Sequence, residues 1–100
     1  MKTGIELIAE EREEQINKHG RTIDSDRENN KAYQLTEAAA ILSTEMFRSS
    51  KKRFAAMPDE WDDEICLKMC RKDRKQRLII AGALIAAELD KIITNKNEGF

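Results

Sequence analysis

Apolar residues recur along this chain at helical rather than strand-like spacing, and the clearest run is Asp73–Ile93. Asp73 stands where an N-cap accepts from backbone N–H groups two or three residues on, with Gln76 at the capping-box position. At about 100° per residue, Leu78, Ala81, Gly82, Ile85, Leu89, Ile92 and Ile93 share one face. Ile80, Ala83, Leu84 and Ala87 keep the other side apolar too. A helix over about 73–94 with neighbours on two sides is predicted. Gly82 costs about 1 kcal/mol relative to alanine in a helix interior, so another backbone is expected close to it. The uninterrupted run Leu78–Ala87 falls short of the roughly 20 residues a membrane span needs.

Thr3 and Glu6 form a T-x-x-E capping box, and Gly20 after Lys18 and His19 marks a stop, which predicts a helix over about 4–19. Its stripe is Ile5, Ile8, Ala9 and Ile16, with Arg12, Gln15 and His19 projecting from the same side. Residues 20–30 are rich in turn formers, and a second helix is expected over about 31–48. Leu35, Ala38, Ala39, Leu42 and Met46 occupy one side of it, and Tyr33, Glu37, Ala40 and Ile41 another. Ser49–Met57 reads as a basic linker or a frayed continuation of that helix. Pro58, Asp59 and Glu60 then open a short helix over about 59–70, carrying Trp61, Ile65 and Met69 on one face. The tail from Thr94 reads as polar and frayed. The expectation is one all-α domain, a small bundle of three long helices plus one short helix, and oligomeric.

Composition adds limits to this picture. One hundred residues make one domain whose surface stays largely in water, which makes a homo-oligomer unsurprising. Valine is absent and proline occurs once, a helical composition. A formal net charge of −1 gives no bulk argument for duplex nucleic acid. Charge is nevertheless segregated, acidic over Glu6–Glu14 and basic over Arg48–Arg53 and Arg71–Arg77. The N-terminus carries no signal-peptide pattern, so a cytoplasmic location is expected. Cys66 and Cys70 lie one turn apart without a further ligand cluster, and they read as inert, reduced thiols rather than a zinc site.

Two polar constellations are candidates for chemistry. Glu88 sits deep in the apolar half of the last helix and needs a partner, because an unpaired buried charge is too costly to keep. Arg12 on the first helix needs acceptors in turn, and Glu37 and Glu88 are the evident ones. Arg12, Gln15, Glu37 and Glu88, with His19 near the open end, form either a structural ion-pair network or a ligand pocket in the bundle core. The second constellation is Arg71, Lys72, Arg74, Lys75 and Arg77 at the start of the last helix. Cations there oppose the helix macrodipole, and a bound phosphate would reconcile the two; pairing with the acidic first helix is the alternative. Trp61, His19 and Tyr33 are candidates to stack on a base, or simply core and rim. Glu10, Glu11 and Glu14 make a literal E-E-x-x-E on a face turned away from the Ile5–Ile16 stripe.

Several segments resemble a family of small phage and prophage helical proteins: I-A-E-E-R-E-E-Q-I-N-K-H-G (8–20), the acidic loop around Asp24 and Asp26, L-T-E-A-A-A (35–40), Trp61, and D-R-K-Q-R-L-I-I-A-G-A-L-I-A-A-E-L-D (73–90). The likeness extends to the MazG-like all-α nucleoside-triphosphate pyrophosphatases, which hold magnesium with E-E-x-x-E and E-x-x-D motifs on facing helices. The matching positions are Glu10, Glu11 and Glu14, and Glu60 with Asp63. In size and phosphate-suited chemistry the chain is also similar to phage sponges that bind cyclic nucleotide immune signals without cleaving them. The expected function is non-catalytic binding of a phosphorylated nucleotide-like ligand, with no metal or other cofactor. Arg71, Arg74, Lys75 and Arg77 would hold phosphate, with Arg12, Gln15, His19 and Trp61 completing the site. The alternatives are a magnesium-dependent pyrophosphatase and a helical protein–protein interaction module.

Overall fold

The computed structural model describes residues 1–19, 33–58 and 61–97, with side chains described through Asn17 and from 33 to 93. The described residues are helical and contain no strand, and they divide into five helices. These are α1 (Gly4–His19), α2 (Gln34–Ser43), α3 (Ser50–Ala56), α4 (Asp63–Arg71) and α5 (Arg74–Asn97). The acidic loop with Asp24 and Asp26, and Glu60, lie outside the described residues.

Local chemistry sets the boundaries. Glu6 N–H donates to Thr3 Oγ1 at 3.3 Å while the Thr3 N–H donates to Glu6 Oε1 at 3.1 Å, which is the reciprocal capping box. Asp73 Oδ1 accepts from the Gln76 N–H at 2.9 Å and starts α5, which continues past the expected boundary near 94 to Asn97.

The second expected helix, 31–48, is a correction. Tyr33 takes a left-handed conformation, φ 68°, at the N-cap of α2, and Thr44 is extended at its end. Ser43 and Thr44 hydroxyls bond to nearby backbone, to Ala40 O and from Met46 N–H, and so compete with helix continuation. Ser49 then caps a separate helix by accepting from the Lys52 N–H, so the basic stretch is α3 rather than a linker. The short helix expected over 59–70 starts instead at Asp63, because Asp62 caps it by accepting from the Ile65 N–H.

α5 lies at the centre, packed against α2 and α1, with α3 and α4 packed on each other. The sequence leads one to expect neighbours on two sides, and α5 has them in α2 and α1, but they do not cover all of its apolar surface. Ile80, Ala81, Ala83, Leu84 and Ala87 are buried, whereas Leu78, Ile85, Leu89, Ile92 and Ile93 on the other face are exposed. Alanines admit a close neighbour, and α2 supplies its own buried Ala38 and Ala39 to the same core. Met57, Trp61, Cys66, Met69 and Cys70 complete that core from the α3–α4 side.

α1 rests on the flank of α5 at Gly82, where a Cβ would stand 2.5 Å from Ile8 Cδ1. The close approach read from Gly82 is thus a side chain of α1 seated against the helix surface. A bulkier residue has no room there. Gly82→Leu is expected to release α1, because an isolated helix of 16 residues is marginal in water. Circular dichroism should show helicity falling by about the α1 share while the rest unfolds cooperatively; unchanged helicity and melting temperature would refute the packing.

Candidate functional site

The basic cluster at the start of α5 is divided by its surroundings. Arg77 is buried, 5% exposed, and its guanidinium donates to Leu42 O and Lys72 O, both at 3.1 Å, and reaches Glu45 at 3.3 Å. Arg74 bonds Glu45 and donates to Ser43 O at 3.3 Å. These two arginines satisfy carbonyls at the end of α2, which no glycine cap relieves. Arg77 is therefore corrected from phosphate ligand to clasp, whereas Arg74 contributes only Nη1 to the same task and its side chain stays exposed. Arg71, Lys72 and Lys75 are exposed.

The polar core expected from Arg12, Glu37 and Glu88 is also rearranged. Arg12 is buried, 8% exposed, and pairs with Asp90, Nε to Oδ2 at 3.5 Å. Glu88 pairs along its own helix with Lys91 at 3.1 Å. Glu37 is exposed in the first turn of α2, where a carboxylate complements the helix dipole. Their carboxylates are separated because α5 buries its alanine face toward α2, leaving Asp90 for α1. Trp61 belongs to the core, which removes its ring from a stacking role. Tyr33 is exposed, and the His19 side chain lies outside the described residues.

What the fold does assemble is a cleft of about 370 Å³ between α1, α4 and α5. Glu11 and Gln15, Ile65 and Met69, and Gln76 and Ile80 are pairs four apart on one helical face each, while Lys68 on α4 is joined by Lys72 from the extended residue that ends it. Glu14 joins Glu11 on the α1 side. One wall is therefore rich in acceptors and the other carries two ammonium groups, with Ile65, Met69 and Ile80 as apolar surface between. Gln15 is 5% exposed; its amide donates to Glu11 Oε2 at 3.2 Å, and its carbonyl oxygen is buried without a hydrogen bond. Such an orphaned acceptor costs about 1–3 kcal/mol. Two members of the E-E-x-x-E thus line a cleft rather than sharing an outward face; Glu10 alone of the three points away, bonded to Lys2. Among the described residues no group of three or more His, Cys, Asp or Glu side chains comes together to hold a metal ion.

A second, more open hollow of about 470 Å³ lies where Gly4, Leu7 and Ile8 meet Arg74, Lys75, Leu78 and Ile79. Of the described helices, none is long and apolar enough to cross a membrane. Cys66 and Cys70 are buried and not joined in a disulfide, and burial pushes the Cys70 thiol up from its ordinary value. No protein-family model, no curated protein and no solved structure matches this chain.

Two outcomes test the clasp. Arg77→Ala leaves Leu42 O and Lys72 O without their donor and is expected to destabilise by about 2–4 kcal/mol, with Arg77→Lys recovering only part because it lacks the planar fork. Urea unfolding measures both, and an alanine variant as stable as the parent would discard the role. The second outcome concerns pH. The hydrogen bond from Arg74, assisted by the charges of Arg74 and Arg77, holds the Glu45 carboxyl below its ordinary 4.5. A lowered folded-state pKa gives stability that is present above pH 4.5 and lost as pH falls through the lowered value. The Glu45→Gln variant should therefore lose less stability than the parent on acidification through that window. The difference is expected to be small and to shrink in salt, since Glu45 is exposed.

Proposed function

We propose that this protein binds a phosphorylated, nucleotide-like small molecule without turning it over, and that it acts as a sponge for cyclic nucleotide signals of the kind used in antiviral immunity. The observation that carries the reading is a cleft of about 370 Å³ with Glu11, Glu14 and Gln15 on one wall and Lys68 and Lys72 on the other. A ligand with amino donors at one end and an anion at the other complements such a cleft, and the apolar surface of Ile65, Met69 and Ile80 suits the face of a base. The volume lies within the range of small-molecule sites. Exposed Arg71 and Lys75 extend the positive potential beyond Lys72. Among the described residues no nucleophile with an adjacent base lines the cleft, which favours retention over turnover.

Calorimetry with cyclic dinucleotides, cyclic trinucleotides and mononucleotides tests this. At least one is expected to release salt-sensitive heat, and Lys68→Ala with Lys72→Ala should weaken it by about tenfold or more. Gln15→Leu should weaken binding without loss of helicity. Absence of heat with every ligand at low salt would end the proposal. The pyrophosphatase alternative draws only on Glu11 and Glu14 in the same cleft, and pyrophosphate release with magnesium would favour it.

A second reading, a helical interaction module that assembles with itself or another protein, is favoured by the exposed aliphatic face of α5. The two readings use different surfaces and are compatible.

A further inference from the structure

The turn that leaves α2, the start of α3, the end of α4 and the start of α5 meet at one pole of the molecule. Arg53 ties them together by donating to Phe47 O and Cys70 O, and Arg74 and Arg77 by donating to Ser43 O and Leu42 O. Residues 45–53 and 71–77 carry nine of the chain's 18 cations and two of its 19 acids. Both acids are already engaged, Glu45 with Arg74 and Arg77, and Asp73 with the Gln76 N–H that starts α5. Arg48, Lys51, Lys52, Arg71 and Lys75 are left exposed there, and among the described residues none of the five pairs with a carboxylate. Asp62, Asp63 and Glu64 stand at the far end of α4, about 10 Å along the axis from Arg71. Such a surplus of one sign repels itself and calls for an anionic partner. Met46 stands at the same pole and is 81% exposed although apolar; its N–H donates to Thr44 Oγ1, which fixes the turn beneath it.

We propose that this pole docks on an anionic bilayer surface, with the five cations among the lipid headgroups and Met46 inserted at the acyl boundary. Charge sets the sign of the partner, and the apolar residue among the cations decides its class. A phospholipid surface offers negative charge and, just below it, an apolar layer, so it serves the cations and Met46 together. A nucleic-acid strand would use rings as stacking platforms, and the rings at this pole, Phe47 and Phe54, are packed against the core. The chain's own acidic helix is a poor occupant from a second copy, since Glu6 is held by Thr3 and Glu10 by Lys2. Docking of this kind lies on the membrane and needs no helix that crosses it.

Lys51, Lys52 and Met46 lie outside the cleft between α1, α4 and α5, so this inference stands or falls apart from the ligand reading. Co-sedimentation of the full chain with vesicles tests it. The parent protein is expected to bind vesicles of phosphatidylcholine with phosphatidylserine, to ignore phosphatidylcholine alone, and to let go as salt is raised. Lys51→Ala with Lys52→Ala removes two exposed charges and should weaken binding by roughly 20-fold or more, at about fivefold per cation. Met46→Ser should weaken vesicle binding by roughly tenfold and leave any binding to a single-stranded oligonucleotide or to polyglutamate unchanged. Both variants should keep the helicity of the parent, and the lipid and salt dependence of the parent itself does not depend on any variant folding. A parent protein that does not bind phosphatidylserine vesicles at low salt overturns the proposal, as does a Met46→Ser variant that binds them as tightly as the parent. Tighter binding of the parent to the oligonucleotide or to polyglutamate than to vesicles overturns it as well, and would give the pole to nucleic acid or to an acidic protein.

Discussion

Helices that end without a glycine must find donors for their last carbonyls, and much of this structure follows from how that demand is met. α2 ends at an extended Thr44 and α4 at an extended Lys72. Leu42 O and Ser43 O take donors from Arg77 and Arg74, while Cys70 O takes the Nε of Arg53 at 3.1 Å. Arg53 also donates to Phe47 O at 2.9 Å, so one guanidinium joins the α2–α3 turn to the end of α4. A guanidinium suits this task because its donors are held in a fixed fork and it stays charged at any accessible pH. The basic segments are thus partly internal fittings. Their charge is spent on backbone carbonyls and on Glu45 before any ligand is considered.

The same constraint fixes the orientation of α5. With Arg77 inserted between the ends of α2 and α4, the helix must turn its alanine-rich side toward α2, and the close packing of Ala38 and Ala39 on that side becomes possible. The larger aliphatics Leu78, Ile85, Leu89, Ile92 and Ile93 are then carried outward and stay about half exposed. Hydrophobicity summed over a face favours burial of the larger side chains, by roughly 25 cal/mol per Å². Here the buried arginine and the small-residue contact outweigh that preference.

The legible parts of the fold were those written in local chemistry. The Thr3–Glu6 box and the Asp73 cap each involve residues three apart, so α1 and the start of α5 follow from short-range rules. The break between α2 and α3 depends on Ser43 and Thr44 choosing local hydrogen bonds over helix, a contest that periodicity does not register. The partner of Arg12 was misassigned for a different reason. Glu37, Glu88 and Asp90 are equivalent as acceptors, and only the rotation of α5 selects Asp90. Gln15 is legible from its place on the core side of α1, and Ile65 and Met69 from a four-residue spacing on α4, whereas Lys72 reaches the cleft from the extended residue after that helix. What no spacing reveals is that these faces, from three helices, meet around one cleft.

The division of the basic residues also bears on what the cleft can recognise. Had Arg74 and Arg77 both been free, the start of α5 would have been a general anion site with bidentate donors and the helix dipole behind it. The cleft itself is lined by Lys68 and Lys72 and not by these arginines, and lysines are compact charges without directional forks. Under the proposed ligand reading, selectivity would have to come from the opposite wall, where Glu11, Glu14 and Gln15 stand. A free inorganic anion would gain from the lysines but meet the carboxylates of that wall. A ligand that joins an anion to a donor-bearing ring would complement both walls together.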